Sequence, residues 1–210
     1  MQFLPEAIER YASEHTRAEP SELARLAEHT RTHVAQPEML TGQVQGRLLK
    51  FIAQLLRPRL VVEVGMYTGY SALCLAEGLE PGGRVITCDI DPVAQRVAQA
   101  AFDASPLGSR IEVRMGPALQ TLAGIEGPVD LSYIDADKAG YPVYFEALLG
   151  KTRSGGVILL DNMLLGGEVL EPRSASARAI DGLNRALVRD PRVENLLLPV
   201  RDGLQVVRKL

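Results

Sequence analysis

The 210-residue chain contains no tryptophan, two cysteines (Cys74 and Cys88) and three histidines (His15, His29 and His33). Two isolated cysteines give neither a zinc-ligand spacing nor a disulfide framework. The histidines all precede the first apolar strand, so any acid–base or metal chemistry further along must use other side chains. No apolar run reaches the roughly 18–20 residues that span a bilayer. The opening segment Met1-Gln2-Phe3-Leu4-Pro5-Glu6 lacks a basic region followed by an apolar stretch, so no secretion signal is expected. Basic runs are missing too, and the formal net charge is −3, so nothing electrostatic advertises a nucleic-acid or membrane partner. Together these absences predict a cytoplasmic protein acting on small molecules.

What is there reads as an ordinary globular chain, 46% hydrophobic and 23% charged. Its length suits one compact α/β domain over residues 1–210, with a helical segment at 1–56 and a sheet-based core at 57–210. Residues 3–35 read as helical, with Leu23, Leu26, Ala27 and Thr30 at helical spacing and a helix start at Pro20-Ser21-Glu22. A second helix is expected at 43–56, with Val44, Leu48, Phe51, Ile52 and Leu55 as its apolar face. Short apolar strands then alternate with helices. Strands are expected at 60–64, 84–88, 111–114, 129–134 and 157–160, the last preceded by a turn at Ser154-Gly155-Gly156. Helices are expected at 70–79, 92–104, 141–150 and 174–189. Residues 194–200 and 204–209 flank Arg201-Asp202-Gly203 and read as an antiparallel hairpin. Alternating strands and helices with right-handed crossovers make a doubly wound parallel sheet. Ligands in such sheets bind at the carboxyl ends of the strands. Four of the five parallel strands end on Gly65, Asp89, Asp135 and Asp161.

The first strand leads into Glu63-Val64-Gly65-Met66-Tyr67-Thr68-Gly69-Tyr70-Ser71. The Gly-x-x-x-Gly spacing fails the dinucleotide fingerprint, and no Gly-Lys-Ser/Thr follows to make a phosphate loop. Gly65 permits a sharp turn and a close approach. Glu63 would repel a pyrophosphate but attract the amino group of an amino-acid-bearing cofactor. Asp89 is placed to bind ribose hydroxyls, though Asp89 and Asp91 could equally cap the following helix. Asp135, Asp161 and Asn162, at neighbouring strand ends, offer three oxygen ligands to a hard cation, Mg²⁺ first and Ca²⁺ or Mn²⁺ as alternatives. Each could instead cap a helix or turn. Lys138 is the base candidate in the absence of a local histidine, against its bland reading as a solvated surface lysine. Tyr141 and Tyr144 read as packing residues.

The pieces Glu63–Ser71, Gly116-Pro117-Ala118, Ile134-Asp135-Ala136-Asp137-Lys138 and Asp161-Asn162 resemble the cation-dependent O-methyltransferases related to catechol and caffeoyl-CoA O-methyltransferases. The resemblance runs from about residue 6 to the end. It implies a Rossmann-like class I methyltransferase fold with a seven-stranded sheet whose last strand is antiparallel, S-adenosylmethionine as methyl donor, and a homodimer built on the N-terminal helices. It further implies cofactor contacts at Thr41, Glu63, Gly65, Met66, Ser71, Asp89, Ala118, Asp135 and Asp137. Metal ligands would be Asp135, Asp161 and Asn162, with Lys138 and Asp135 in the catalytic role. The acceptor would be a vicinal diol of catechol type. The chain departs from the family at Met163-Leu164-Leu165-Gly166-Gly167, where many relatives carry a tryptophan and some plant members an asparagine at the position of Gly166. An acid that catechol enzymes place before the final hairpin has no clear match near Asn195-Leu196. Two other readings stand beside this one: a methyltransferase acting on a modified tRNA nucleoside, and a cofactor-binding protein without catalysis.

Overall fold

A computed structural model describes residues 4–210. Residue 3, where the first helical stretch was expected to begin, lies outside the described residues. That stretch is two helices, α1 (Glu6–Glu14) and α2 (Ser21–His33), separated by a segment ending at Pro20. Pro20 has no amide to continue a helical ladder, so the chain restarts at Ser21. Leu23, Leu26, Ala27 and Thr30 form the buried stripe of α2, as their spacing predicts.

Helix α3 (Gln43–Leu56) forms where expected with its buried face rotated: Leu48 and Ile52 pack partly buried against the core, while two of the expected positions face outward. Its buried residues are Gln45, Gly46, Arg47, Leu49 and Ala53, while Phe51 and Leu55 are 61% and 82% exposed. The reason is close packing against α4 (Tyr70–Ala76). A side chain at Gly46 would stand 2.8 Å from the Tyr70 ring and 2.9 Å from the Cys74 sulfur, so only small residues fit that seam. Phe51 and Leu55 are left facing outward.

The sheet has seven strands in the order β3-β2-β1-β4-β5-β7-β6. They are β1 (Leu60–Val64), β2 (Arg84–Asp89), β3 (Ile111–Met115), β4 (Val129–Ile134), β5 (Thr152–Leu160), β6 (Val193–Leu198) and β7 (Leu204–Lys209). The first five run parallel, and β7 runs antiparallel to both β5 and β6. The crossover helices are α4, α5 (Pro92–Asp103), α6 (Ala118–Ala123), α7 (Tyr141–Leu149) and α8 (Ala175–Leu187). The six-residue α6 was not foreseen, being too short to show a helical period. The turn expected at Ser154-Gly155-Gly156 is instead part of β5, whose pairing with β4 shifts register there around Gly155 (φ 73°). Two apolar layers sandwich the sheet. One gathers α2, α3 and α4 residues with Tyr133 and Leu159, and the other gathers α7 and α8 residues with Ile134 and Leu160. No helix among the described residues is long and apolar enough to cross a membrane.

Candidate active site

The strand order reverses between β1 and β4, and a cavity of about 890 Å³ opens at the carboxyl ends of these strands. That is the switch point where open α/β sheets bind ligands, and the volume suits a nucleoside cofactor plus a small acceptor. Thr41, Gly65, Met66, Ser71, Asp89, Ala118, Asp135, Asp137, Lys138, Asp161 and Asn162 all line it. Of the site residues expected from the sequence, Glu63 alone is missing from the wall.

Gly65 shows why the turn after β1 needs glycine. Its φ is +97°, and an added Cβ would lie 1.9 Å from the Asp135 carbonyl oxygen. The close approach at Gly65 is therefore to the end of β4. It brings the β1 and β4 ends together on one cavity wall. Two positions back, Glu63 is wholly buried. The Thr87 hydroxyl donates to its Oε2 at 2.5 Å. Burial is the main cause that pushes this carboxyl up to about 8, with Asp135 and Asp89 adding to it and the Thr87 and Ser71 hydroxyls opposing it.

Asp89 and Asp91 take separate roles. Asp91 caps α5 by accepting the Val93 amide at 2.8 Å. Asp89 does not cap it. Its Oδ2 accepts the Met66 and Tyr67 amides at 2.9 and 2.8 Å, and its Oδ1 accepts those of Ile90 and Asp91. Four backbone donors fix this carboxylate at the cavity edge and tie the glycine loop to β2.

The metal candidates converge. Asp135 ends β4 and Asp161 follows β5, with its Oδ1 accepting the Asn162 amide at 2.8 Å. Asn162 adopts φ 55°, a left-handed turn that asparagine tolerates better than most residues. Withdrawal from solvent and the neighbouring Asp161 raise the Asp135 carboxyl to about 6, against the pull of Lys138 and Arg201. Lys138 Nζ lies 3.0 Å from Asp135 Oδ1 and donates to the Tyr141 hydroxyl at 2.8 Å. Tyr141 thus does more than pack: fully buried, it anchors the lysine and donates its own hydroxyl hydrogen bond to the Ile134 carbonyl at 3.2 Å. Tyr144 similarly donates to Asp137 at 2.6 Å.

Three polar contributors escaped the sequence reading. Gln45 Nε2 donates to Asp161 Oδ2 at 2.6 Å and to the Tyr133 hydroxyl at 3.1 Å. Tyr133, buried in β4, donates to the same Asp161 oxygen at 2.6 Å. Burial and the adjacent Asp161 keep the Tyr133 phenol well above its ordinary range, so it stays a donor. Arg201, in the β6–β7 turn, reaches the cavity mouth and donates to the Leu40 and Thr41 carbonyls. The only signal for Gln45 and Arg201 was polarity within a helix and a turn; Tyr133 looked like a core aromatic.

This fold and site define a nucleoside-cofactor transferase of the doubly wound kind. The O-methyltransferase family model matches residues 13–210, and the chain belongs to that family. It is 37% identical over 173 residues to the mouse catechol O-methyltransferase domain-containing protein 1, covering 79% of this chain and 66% of that protein. It is 32% identical over 206 residues to caffeoyl-CoA O-methyltransferase of Petroselinum crispum, covering 91% and 85%. Among solved structures, the S-adenosylhomocysteine-bound methyltransferase PaMTH1 of Podospora anserina superposes with a TM-score of 0.90 at 29% identity, over 100% of this chain and 99% of that one. The Bacillus cereus O-methyltransferase in complex with S-adenosylhomocysteine gives the same TM-score and identity over 97% of each. The protein is an S-adenosylmethionine-dependent O-methyltransferase with a Rossmann-like methyltransferase fold.

Proposed function

We propose that the enzyme uses a divalent cation, Mg²⁺ in the first instance, to methylate one hydroxyl of a vicinal diol on a small aromatic acceptor. The observation that carries this is the convergence of Asp135, Asp161 and Asn162 on one cavity wall. Among the described residues no group of three or more histidine, cysteine, aspartate or glutamate side chains is arranged to hold a metal. The candidate set is two carboxylates and one amide oxygen, donors that suit a hard, six-coordinate cation. The raised Asp135 carboxyl supports the fit, because a dication relieves the conflict between burial, Asp161 and its charge.

When bound, the cation supplies Lewis acidity that lowers the pKa of an acceptor hydroxyl, and the donor supplies an electrophilic sulfonium methyl. The chain's own residues do the rest. Asp135, Asp161 and Asn162 would hold the cation, with Tyr133 and Gln45 fixing Asp161. Lys138, steadied by Asp135 and Tyr141, is the group placed to steer the acceptor proton, or to accept it at Nζ once its own ammonium proton has left to solvent. Thr41, Ser71, Asp89, Ala118 and Asp137 would bind the donor, holding it against the acceptor so that proximity supplies much of the acceleration. Glu63 would act from beneath the wall as a buried countercharge to the donor's amino group.

We also propose that two copies associate through the outward stripe of α1 and α3, where Ile8, Tyr11, Phe51 and Leu55 are each more than half exposed. The function is tested with labelled S-adenosylmethionine, Mg²⁺, a panel of catechols and bulk tRNA. Label in a catechol ring ether supports the reading. Label in tRNA and in no diol overturns it.

A further inference from the structure

Arg201 is the cavity residue the reading above does not use. It occupies φ 50° in the turn between β6 and β7, a left-handed conformation that is strained for a residue with a side chain and that glycine adopts freely. The turn itself gives no reason for arginine: Gly203 closes it by donating to the Val200 carbonyl at 2.9 Å. Strain of this kind is retained where the side chain has work to do.

The guanidinium lines the same cavity as Asn162 and Leu165 and is near enough to Asp135 to pull on its carboxyl. Nη1 donates to the Leu40 and Thr41 carbonyls, which fixes one edge of the fork. Nε and Nη2 donate to no protein atom among the described residues, and Arg201 forms no ion pair there. Its neighbour Asp202 is engaged elsewhere, accepting the Gly166 amide at 2.6 Å. Lys138, the other cation in the wall, is paired with Asp135. Among the described residues, Arg201 is thus the one cavity-lining cation with no carboxylate at ion-pair distance, acting on Asp135 only from farther off. A guanidinium with one edge anchored and the other open is suited to a planar carboxylate.

We propose that Arg201 selects acceptors that carry a carboxylate as well as the diol, binding that carboxylate through Nε and Nη2. This rests on the diol reading given above. The carboxylate of the methyl donor is the other source of the same chemistry, and a simple latch between the β6–β7 turn and residues 40–41 would need no anion at all. The three differ in what they make depend on Arg201.

The test compares kcat/KM for 3,4-dihydroxybenzoate with that for its neutral isostere 3,4-dihydroxybenzamide, in the native chain and in Arg201→Gln and Arg201→Gly. The glycine variant relieves the backbone strain, thermal unfolding confirms that both variants fold, and calorimetry reads their binding of S-adenosylhomocysteine. A charge-assisted pair at a partly exposed mouth should favour the acid by about tenfold in the native enzyme. That ratio should fall to near one in both variants. A native ratio near one, or a preference that survives in the variants, overturns the proposal. So does an equal loss for both acceptors together with weakened S-adenosylhomocysteine binding, which would assign Arg201 to the donor or to a latch. Methylation of the amide without preference for the acid sinks the carboxylate proposal and leaves the diol reading standing. Methylation of neither sinks both.

Discussion

Replacing Glu63 by glutamine should make the ligand-free protein more stable at neutral pH. The carboxyl has no solvent contact, and the hydroxyls of Thr87 and Ser71 do not offset its burial. Burial raises its pKa from an ordinary 4.5 to about 8. Between those values the unfolded chain has released a proton that the native chain retains. Stability from this group is therefore fully present below about 4.5, falls as pH rises, and levels off above about 8. At pH 7 the gap from 4.5, at about 1.36 kcal/mol for each pH unit, is a penalty of roughly 3 kcal/mol. Glutamine keeps the shape and an acceptor for the Thr87 hydroxyl but does not titrate. The buried amide NH2 that glutamine introduces costs about 1 kcal/mol at every pH. The net gain at pH 7 is then about 2 kcal/mol, or a rise in Tm of several degrees for a chain of this size. Thermal unfolding of both proteins without ligand, from pH 4.5 to 8.5, measures it. The variant should be slightly the less stable of the two at the acid end, cross over as pH rises, and be increasingly the more stable toward pH 8. Parallel curves, or a variant less stable at pH 7, would refute the idea that Glu63 is a carboxyl held neutral by burial.

Other perturbations follow from the same geometry. Gly65→Ala puts a Cβ against the Asp135 carbonyl at positive φ, so it should cost about 3 kcal/mol of stability, read by urea unfolding, and abolish S-adenosylhomocysteine binding. Lys138→Ala should lower kcat by about 10²–10⁴ while S-adenosylhomocysteine affinity by calorimetry changes little; an unaltered kcat removes the lysine from the proton path. Tyr133→Phe deletes one donor to Asp161 and should weaken Mg²⁺ binding roughly tenfold by titration calorimetry, with the fold intact. Phe51→Glu and Leu55→Glu together should yield a monomer by light scattering, and a monomeric native protein would remove the proposed dimer surface.

Strand ends were the most legible part of this chain. Gly65, Asp89, Asp135 and Asp161 each interrupt an apolar run, and a polar residue closing a buried strand is visible without any partner. Their convergence followed from parallel topology alone. Side-chain orientation on α3 was not legible, because its spacing is compatible with either face, and the choice is made by Gly46 and Ala53 against α4. The α6 helix was too short for a period, and the bulge in β5 looked like a turn because Gly155 serves both. Gln45, Tyr133 and Arg201 reach the site from elements distant in sequence, so no local pattern could join them to Asp161 or to Thr41. Glu63 was legible as a special residue. Its burial, which decides how it acts, depends on Thr87 and the packing of β2.

The most direct test of metal-assisted transfer is the initial rate of methylation of a catechol acceptor before chelation, after chelation and after Mg²⁺ is restored, with an Asp161→Ala variant alongside. The site described here predicts that chelation stops transfer, that Mg²⁺ restores it in the native enzyme, and that the variant stays inactive at the same Mg²⁺ concentration while still binding S-adenosylhomocysteine. Transfer that continues undiminished in excess chelator, or in Asp161→Ala, would contradict it.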